Sequence, residues 1–222
     1  MKKIQAAIAG VLLLTLIQAA INAQELDVAY VPTPHSIVEK MLDVARVGPG
    51  DYVIDLGSGD GRIVIAAAQR GAFGHGVDID PQRIREAKAN ALEAGVEDKV
   101  IFLEENIYET DFSRASVVTM YLFPSINLKL RSAILNKLEP GSRVVSHDFG
   151  MDYWIPEEYI IDDGHEIYFW IIPANIHGDW HWKVAGSPFK MNVEQEFQKF
   201  ETRLLSKENT LKTDENTLSG KR

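Results

Sequence analysis

The chain has 222 residues, 45% of them hydrophobic, enough for one mid-sized domain with extensions. Its 32 acidic residues outnumber 23 basic ones, which disfavours a nucleic-acid partner held by phosphate neutralisation and leaves room for a cationic substrate. With no cysteine, the chain has no disulfide, no thiolate metal site and no cysteine nucleophile.

Lys2 and Lys3, the apolar run from Ile4 to Ile21 and the small Ala23 read as a secretory signal peptide cut after Ala23, or as an uncleaved membrane anchor. The run falls just short of the roughly 20 residues that span a bilayer. In both readings the two lysines stay on the cytoplasmic side and the domain is expected to be exported, periplasmic or membrane-anchored. An anchor that leaves the domain facing the cytoplasm is the alternative.

Thr33, Pro34 and the apolar Ile37, Val38, Met41, Leu42 and Ala45 predict a helix capped by Thr33, with Pro34 at its first position. Residues 51–57 predict a buried strand, 61–71 a helix closed by Gly71, 74–80 a second strand, and 81–95 a helix opened by Pro81 and closed by Gly95. Residues 99–106, 115–123, 127–141 and 142–149 follow as strand, strand, helix and strand. Strands alternating with helices predict an α/β fold, a parallel doubly wound sheet with helices on both faces. Residues 165–172 and 178–184 are aromatic and alternating, and are expected to pair as an antiparallel hairpin at the sheet edge. For 189–205 two readings stand: a strand with Phe189, Met191, Val193, Gln195 and Phe197 on one face, or a helix from Glu194 to Leu205. From Ser206 the chain is polar and is expected to be disordered. The expected division is a leader over 1–23, a domain over 24–184, an extension over 185–205 and a tail over 206–222.

The turn "DLGSGDGR", Asp55 to Arg62, follows the first strand, where doubly wound sheets bind ligands. A dinucleotide fingerprint needs a glycine where Arg62 stands, and a P-loop ends in Gly-Lys-Ser/Thr, so neither is present. What stands is an acidic residue, one apolar residue, then Gly57, Gly59 and Gly61, with Ser58 between the first two. Asp78 ends the second strand, where a carboxylate can accept from two hydroxyls. Asp80, before Pro81, suits a helix cap. Asn106 ends the third strand. Each alone has a plain structural reading as a turn, a cap or a strand end; together, at successive strand ends, they predict a cofactor site.

The acidic residue followed by Gly57, Gly59 and Gly61 resembles motif I of the class I S-adenosylmethionine-dependent methyltransferases. The resemblance implies a Rossmann-like seven-strand methyltransferase sheet and S-adenosyl-L-methionine as cofactor. It places Asp55 and the loop of Gly57, Ser58, Gly59 and Gly61 at the methionine end, Asp78 with Ile79 at the ribose, and Asn106 with the Ile107 backbone at the adenine. A closer likeness lies in "YVPTP" at 30–34, "DLGSGDGRIV" at 55–64, "MYLFPSINLKL" at 120–130 and "PGSRVVSHDF" at 140–149. These are similar to the protein-lysine methyltransferases that act on the mitochondrial ATP synthase c subunit and adenine nucleotide translocase, and to their bacterial relatives. The likeness runs from Tyr30 to Val184. It implies methylation of a protein lysine, in a membrane protein as in that family, whose members also tend to carry a hydrophobic targeting segment ahead of "YVP". Tyr30 and Thr33 are then expected to close over the cofactor, and Arg62 either adds charge at the methionine end or lies on the surface.

Methyl transfer to an amine is a problem of positioning, and the amine must arrive neutral, which burial favours. Leu122 stands where amino-directed methyltransferases begin an Asn/Asp-Pro-Pro-aromatic clamp, and its lack of an acceptor argues against DNA-adenine or glutamine substrates. Tyr121, Ser125 and His147 are the expected catalytic residues, with Asp148 beside them. Trp154 reads as the wall of a lysine channel or as a packing residue. No metal is expected, because His177 and His181 are the one close pair and lack a third ligand. The expected partners are a protein substrate or a small-molecule amine, with no nucleic acid and with membrane association through residues 4–21. Two other functions stand beside protein-lysine methylation: methylation of a small molecule, and nucleoside binding by an exported, non-catalytic protein of this fold.

Overall fold

The computed structural model of the protein describes residues 30–205 and 210–212. Met1–Val31 and Pro32–Arg222 form two compact units. Of the first, Tyr30 and Val31 are described, both exposed. The leader expected over 1–23 lies outside the described residues, among which no helix is long and apolar enough to cross a membrane.

The second unit runs α1 (His35–Val44), β1 (Tyr52–Leu56), α2 (Arg62–Gln69), β2 (Phe73–Asp78), α3 (Pro81–Glu93) and β3 (Val100–Glu104). It continues with β4 (Val117–Met120), α4 (Pro124–Lys137), β5 (Arg143–His147), β6 (Glu158–Asp162) and β7 (His165–Ile171). Seven strands form one sheet in the order β3-β2-β1-β4-β5-β7-β6. The first five are parallel, and β7 runs antiparallel to both β5 and β6. The apolar spacing that predicts α1 buries Ile37, Val38, Met41 and Leu42. With Val53, Val117, Val145 and Ile167 these residues form one core, while Ile84, Ala87, Ala91 and Phe102 belong to a second. Strand order reverses between β1 and β4, so the crevice outside their carboxyl ends is where a ligand has room to lie.

An antiparallel hairpin closes the sheet edge, but its arms differ from those expected. They are β6 and β7, joined by Asp163 and Gly164, both at positive φ (49° and 80°). A two-residue Asp-Gly loop is the turn that suits the twist of a hairpin. With β5 and β6 on its two edges, β7 has none left for residues 178–184. That segment, β8 (Gly178–Val184), begins a second, antiparallel sheet with β9 (Ser187–Glu196), β10 (Lys199–Leu205) and β11 (Thr210–Lys212). Residues 189–196 are strand and not helix, but Phe197, expected on the same strand face, lies in the turn to β10 with φ 53°; part of the tail expected to be disordered pairs with β10. Trp154 joins the two sheets. It is fully buried, its indole N–H donates to Gln198 Oε1 at 2.9 Å, and its ring stacks on Phe197 at 5.5 Å. It is a packing residue, which removes it from any substrate channel.

The third glycine of the motif explains why α2 can leave the sheet where it does. Gly61 has φ 81°, and a Cβ built on it lies 2.6 Å from Phe102 Cζ and 2.9 Å from Ala87 Cβ. Both the left-handed backbone and the close approach of β3 and α3 exclude a side chain. Gly61→Ala is therefore expected to destabilise the fold by about 2–4 kcal/mol through strain and overpacking combined. Urea denaturation measures this directly, and a variant within about 0.5 kcal/mol of the parent removes the steric account.

Candidate active site

Asp55, near the end of β1, is 2% exposed. Its Oδ1 accepts the Thr119 hydroxyl at 2.6 Å from β4, across the point where strand order reverses. Burial pushes the Asp55 carboxyl up to about 7; the Thr119 hydrogen bond opposes this, and the charges of Asp78 and Asp60 add to it. The loop that follows folds back on β2, because the N–H groups of Gly57 and Ser58 both donate to Val77 O, at 2.9 and 2.8 Å. Leu122, after β4, packs on Gly57, whose Cβ would lie 2.9 Å from Leu122 Cδ2. An apolar residue at this position fills space above the glycine loop. The Ser58 hydroxyl is buried with no hydrogen-bond partner among the described residues.

Asp78, last in β2, is pinned by the backbone. Its Oδ2 accepts the Gly59 N–H at 2.8 Å and its Oδ1 the Asp80 N–H at 2.9 Å. Asp80 caps α3 as expected, accepting the Gln82 N–H at 2.7 Å. Ile79 lies between them, half-buried. Asn106 follows β3, and its side-chain oxygen accepts the Tyr108 N–H at 3.0 Å, closing a turn that leaves half-buried Ile107 at its apex. Sequence reasoning missed the work of Arg62. Its guanidinium forks onto Asp60 at 2.9 and 2.6 Å and donates to Thr33 O at 2.7 Å, tying the glycine loop to the segment ahead of α1.

The helix-capping role expected of Thr33 falls to no side chain, since Pro34 is the N-cap residue. The buried Thr33 hydroxyl instead bonds His147 Nδ1 at 3.0 Å, a contact between residues 114 positions apart. His147, last in β5, is fully buried. Its Nε2 lies 2.9 Å from His165 Nδ1 and 3.3 Å from Asp148 Oδ2, and Tyr121 covers its ring at 3.9 Å between centroids. Burial pushes the His147 imidazole down to about 4 against the pull of Asp148. Burial raises the Asp148 carboxyl, but the Glu166 N–H, His165, His147 and the Tyr121 hydroxyl together hold it below the usual carboxylate range. Burial and the Asp148 charge push the Tyr121 hydroxyl up. Ser125 is exposed on the first turn of α4. The turn after β5 is held by Asn127 of α4, fully buried, whose amide donates to Ser146 Oγ and Phe149 O at 3.3 and 3.0 Å. Of the expected catalytic residues, Tyr121 and His147 therefore meet with Asp148, while Ser125 stands apart from their hydrogen bonds. His165 was not singled out by its sequence position. The exposed His177 and His181 have no third ligand beside them among the described residues.

The buried Asp55 carboxyl sets a pH dependence of stability. An unfolded aspartate ionises near 3.8 while the folded one keeps its proton to about 7, so the folded state binds more protons between these values and stability falls as pH rises through them. Asp55→Asn is expected to flatten this fall in the ligand-free protein, by at most about 1.4 kcal/mol per pH unit, and to leave the variant the more stable of the two above neutrality. Thermal unfolding of both proteins from acid to neutral pH checks it. Parallel curves would mean that Asp55 ionises as freely folded as unfolded.

Comparison with known proteins accords with this geometry. The sequence model of the ANTKMT methyltransferase domain matches residues 55–158. A protein-lysine N-methyltransferase of Saccharolobus islandicus (strain REY15A) is 44% identical over 151 residues, 65% of this chain and 94% of that protein. The adenine nucleotide translocase lysine N-methyltransferase of Mus musculus is 35% identical over 132 residues, and the match takes in 59% of this chain and 57% of that protein. A solved RNA methyltransferase from Salinibacter ruber, in complex with S-adenosyl-L-homocysteine, is 50% identical with a TM-score of 0.65, covering 66% of this chain and 96% of that one. The chain thus spans nearly all of the Saccharolobus and Salinibacter proteins and little over half of the mouse one. The exported or membrane-anchored location expected from residues 1–23 is corrected by the Saccharolobus enzyme, 94% of whose length is matched by 65% of this chain. The seven-strand order, the glycine loop between buried Asp55 and pinned Asp78, and the near-complete match to the Saccharolobus enzyme agree: the chain belongs to the S-adenosylmethionine-dependent protein-lysine methyltransferase family.

Proposed function

We propose that the protein methylates lysine side chains of a protein substrate. The observation that carries the choice of acceptor is the 44% identity over 94% of the length of the Saccharolobus protein-lysine N-methyltransferase. The residues fit S-adenosylmethionine. Asp78 keeps a lone pair on each carboxylate oxygen after its two backbone bonds, which suits a ribose diol. The buried, unpartnered Ser58 hydroxyl lies in the same loop. Asp55, Gly57, Ser58, Gly59 and Gly61 hold the methionine end, with a cationic ammonium offsetting the cost of ionising Asp55. Asp78 and Ile79 take the ribose, and Asn106 and Ile107 the adenine. Thr33 acts by holding its segment to Arg62 and His147.

When bound, the cofactor supplies a methyl group already activated by its sulfonium, so the chain's own residues need only place a neutral amine in line with it. Tyr121 donates its hydroxyl proton to Asp148 Oδ2 at 3.2 Å, which leaves its oxygen lone pairs to accept an amine N–H. Ser125 offers a second acceptor from the start of α4. His147 acts through Tyr121, whose ring it supports, and does not touch the amine. The Salinibacter relative favours RNA as a second acceptor, and the surplus of acidic residues weighs against it here.

Incubating the full chain with labelled S-adenosylmethionine and, separately, a protein extract, an RNA pool and free amines distinguishes the acceptors. Label on protein lysines, located by mass spectrometry, is the expected result; label confined to RNA or free amines overturns it. Asp78→Asn is expected to weaken binding of S-adenosylmethionine and of its demethylated product alike by about 1.5–3 kcal/mol, since a charged hydrogen-bond partner is lost. Titration calorimetry reads this, and equal affinities would release Asp78 from the ribose.

A further inference from the structure

His147 and Asp148 are neighbours in sequence, and neighbours leaving a strand point to opposite sides. Here both reach one spot, because Asp148 has left-handed backbone (φ 57°) that turns its carboxylate back beside the His147 ring. His165, at the start of β7, brings a third group to the same place. His147 Nε2, His165 Nδ1 and Asp148 Oδ2 lie 2.9, 3.1 and 3.3 Å from one another. Zinc bonds nitrogen and carboxylate oxygen at about 2.0–2.2 Å, so adjacent ligands of a tetrahedral ion sit roughly 3.3 Å apart. The three atoms match one face of that tetrahedron within a few tenths of an ångström.

The atoms around the trio are arranged as supports of a metal centre. In the tautomer that donates Nδ1–H to Thr33 Oγ1, His147 turns the lone pair of Nε2 to the shared point, and an oxygen partner on the far nitrogen is what fixes a ligating histidine. The Asp148 carboxylate is oriented by the Glu166 N–H at 2.9 Å and the Tyr121 hydroxyl at 3.2 Å. Three acceptor atoms thus converge on a point where a single ring proton must otherwise serve all of them. Two imidazole nitrogens with one carboxylate oxygen suit a borderline ion such as zinc better than magnesium or calcium, which favour all-oxygen sites. The side chains of Asp148 and His165 are 23% and 31% exposed, which leaves the fourth position open to water.

We propose that His147, Asp148 and His165 bind one divalent transition-metal ion of the zinc type. The ion fastens the end of β5 to the start of β7 and, through Thr33, to the segment ahead of α1. It lies beside Tyr121, and the proposal stands whether the acceptor is protein or RNA.

The test uses the full chain, freed of metal by chelator dialysis and titrated with Zn²⁺ by calorimetry and with Co²⁺ by visible absorption. One equivalent is expected to bind, with the intense visible bands of tetrahedral cobalt. His165→Ala and Asp148→Asn should each weaken binding by about 100-fold or more, and Thr33→Val, which removes an outer partner, by about 10-fold. His181→Ala, a change at an exposed histidine of the second sheet, should leave it unaltered. Circular dichroism of each variant separates loss of the site from loss of the fold; should His165→Ala unfold, His165→Gln takes its place. No saturable equivalent in the parent, or binding that survives His165→Ala in a folded protein, overturns the proposal.

Discussion

Asp55, next to last in its strand, has a carboxyl group almost wholly removed from water and one side chain, the Thr119 hydroxyl, to satisfy it. An ionised carboxylate held this way is costly, and the charges of Asp78 and of Asp60 in the loop add to that cost. Under the proposed function, it is one half of a charge pair whose other half is the ammonium of the ligand. The loop geometry follows from the same demand. Its backbone must pass close to Asp55 and then turn into α2 hard against Phe102 and Ala87, which only a glycine at position 61 allows. Arg62 offsets Asp60 with a forked ion pair and in the same stroke fastens the segment ahead of α1, so neutralising one carboxylate also assembles one wall of the site.

The cluster at the end of β5 is built by a different means. The turn leaving β5 is pinned from beneath by buried Asn127 and Ser146, two polar groups that exist in the core only because the turn's carbonyls need donors. On that base the left-handed Asp148 reverses the normal alternation of side chains and gathers it with His147 and His165. Thr33 caps the assembly from the far end of the chain. Tyr121 therefore rests on a platform whose members come from four separate segments.

Much of this was legible in the residues. The alternation of strands and helices, the glycine loop, the Asp80 cap and the placement of Asp78 and Asn106 at strand ends are local features, written in spacing and in turn chemistry. The Asp163-Gly164 turn was legible too and went unread, because the two aromatic runs on either side of 173–177 made a stronger pattern. Thr33 shows the opposite failure. Its position before a proline and an apolar helix is that of a cap, yet its hydroxyl is spent on a histidine brought to it by the fold. Trp154, which reads as a channel wall or a packing residue, fills space between two sheets, and Leu122, without an acceptor, fills space over the glycine loop.

The sequence by itself determined the fold class, the cofactor and the family, because short-range periodicity and a glycine-spaced motif are set by the chain's own backbone constraints. Tertiary structure alone decided which titratable groups meet. His165 of β7 joins His147 of the neighbouring β5, Arg62 reaches Thr33 across a helix, and β8 leaves the main sheet because β7 has no free edge. Such contacts depend on the pairing of strands and the twist of a single left-handed residue, neither of which leaves a mark in the spacing of the letters.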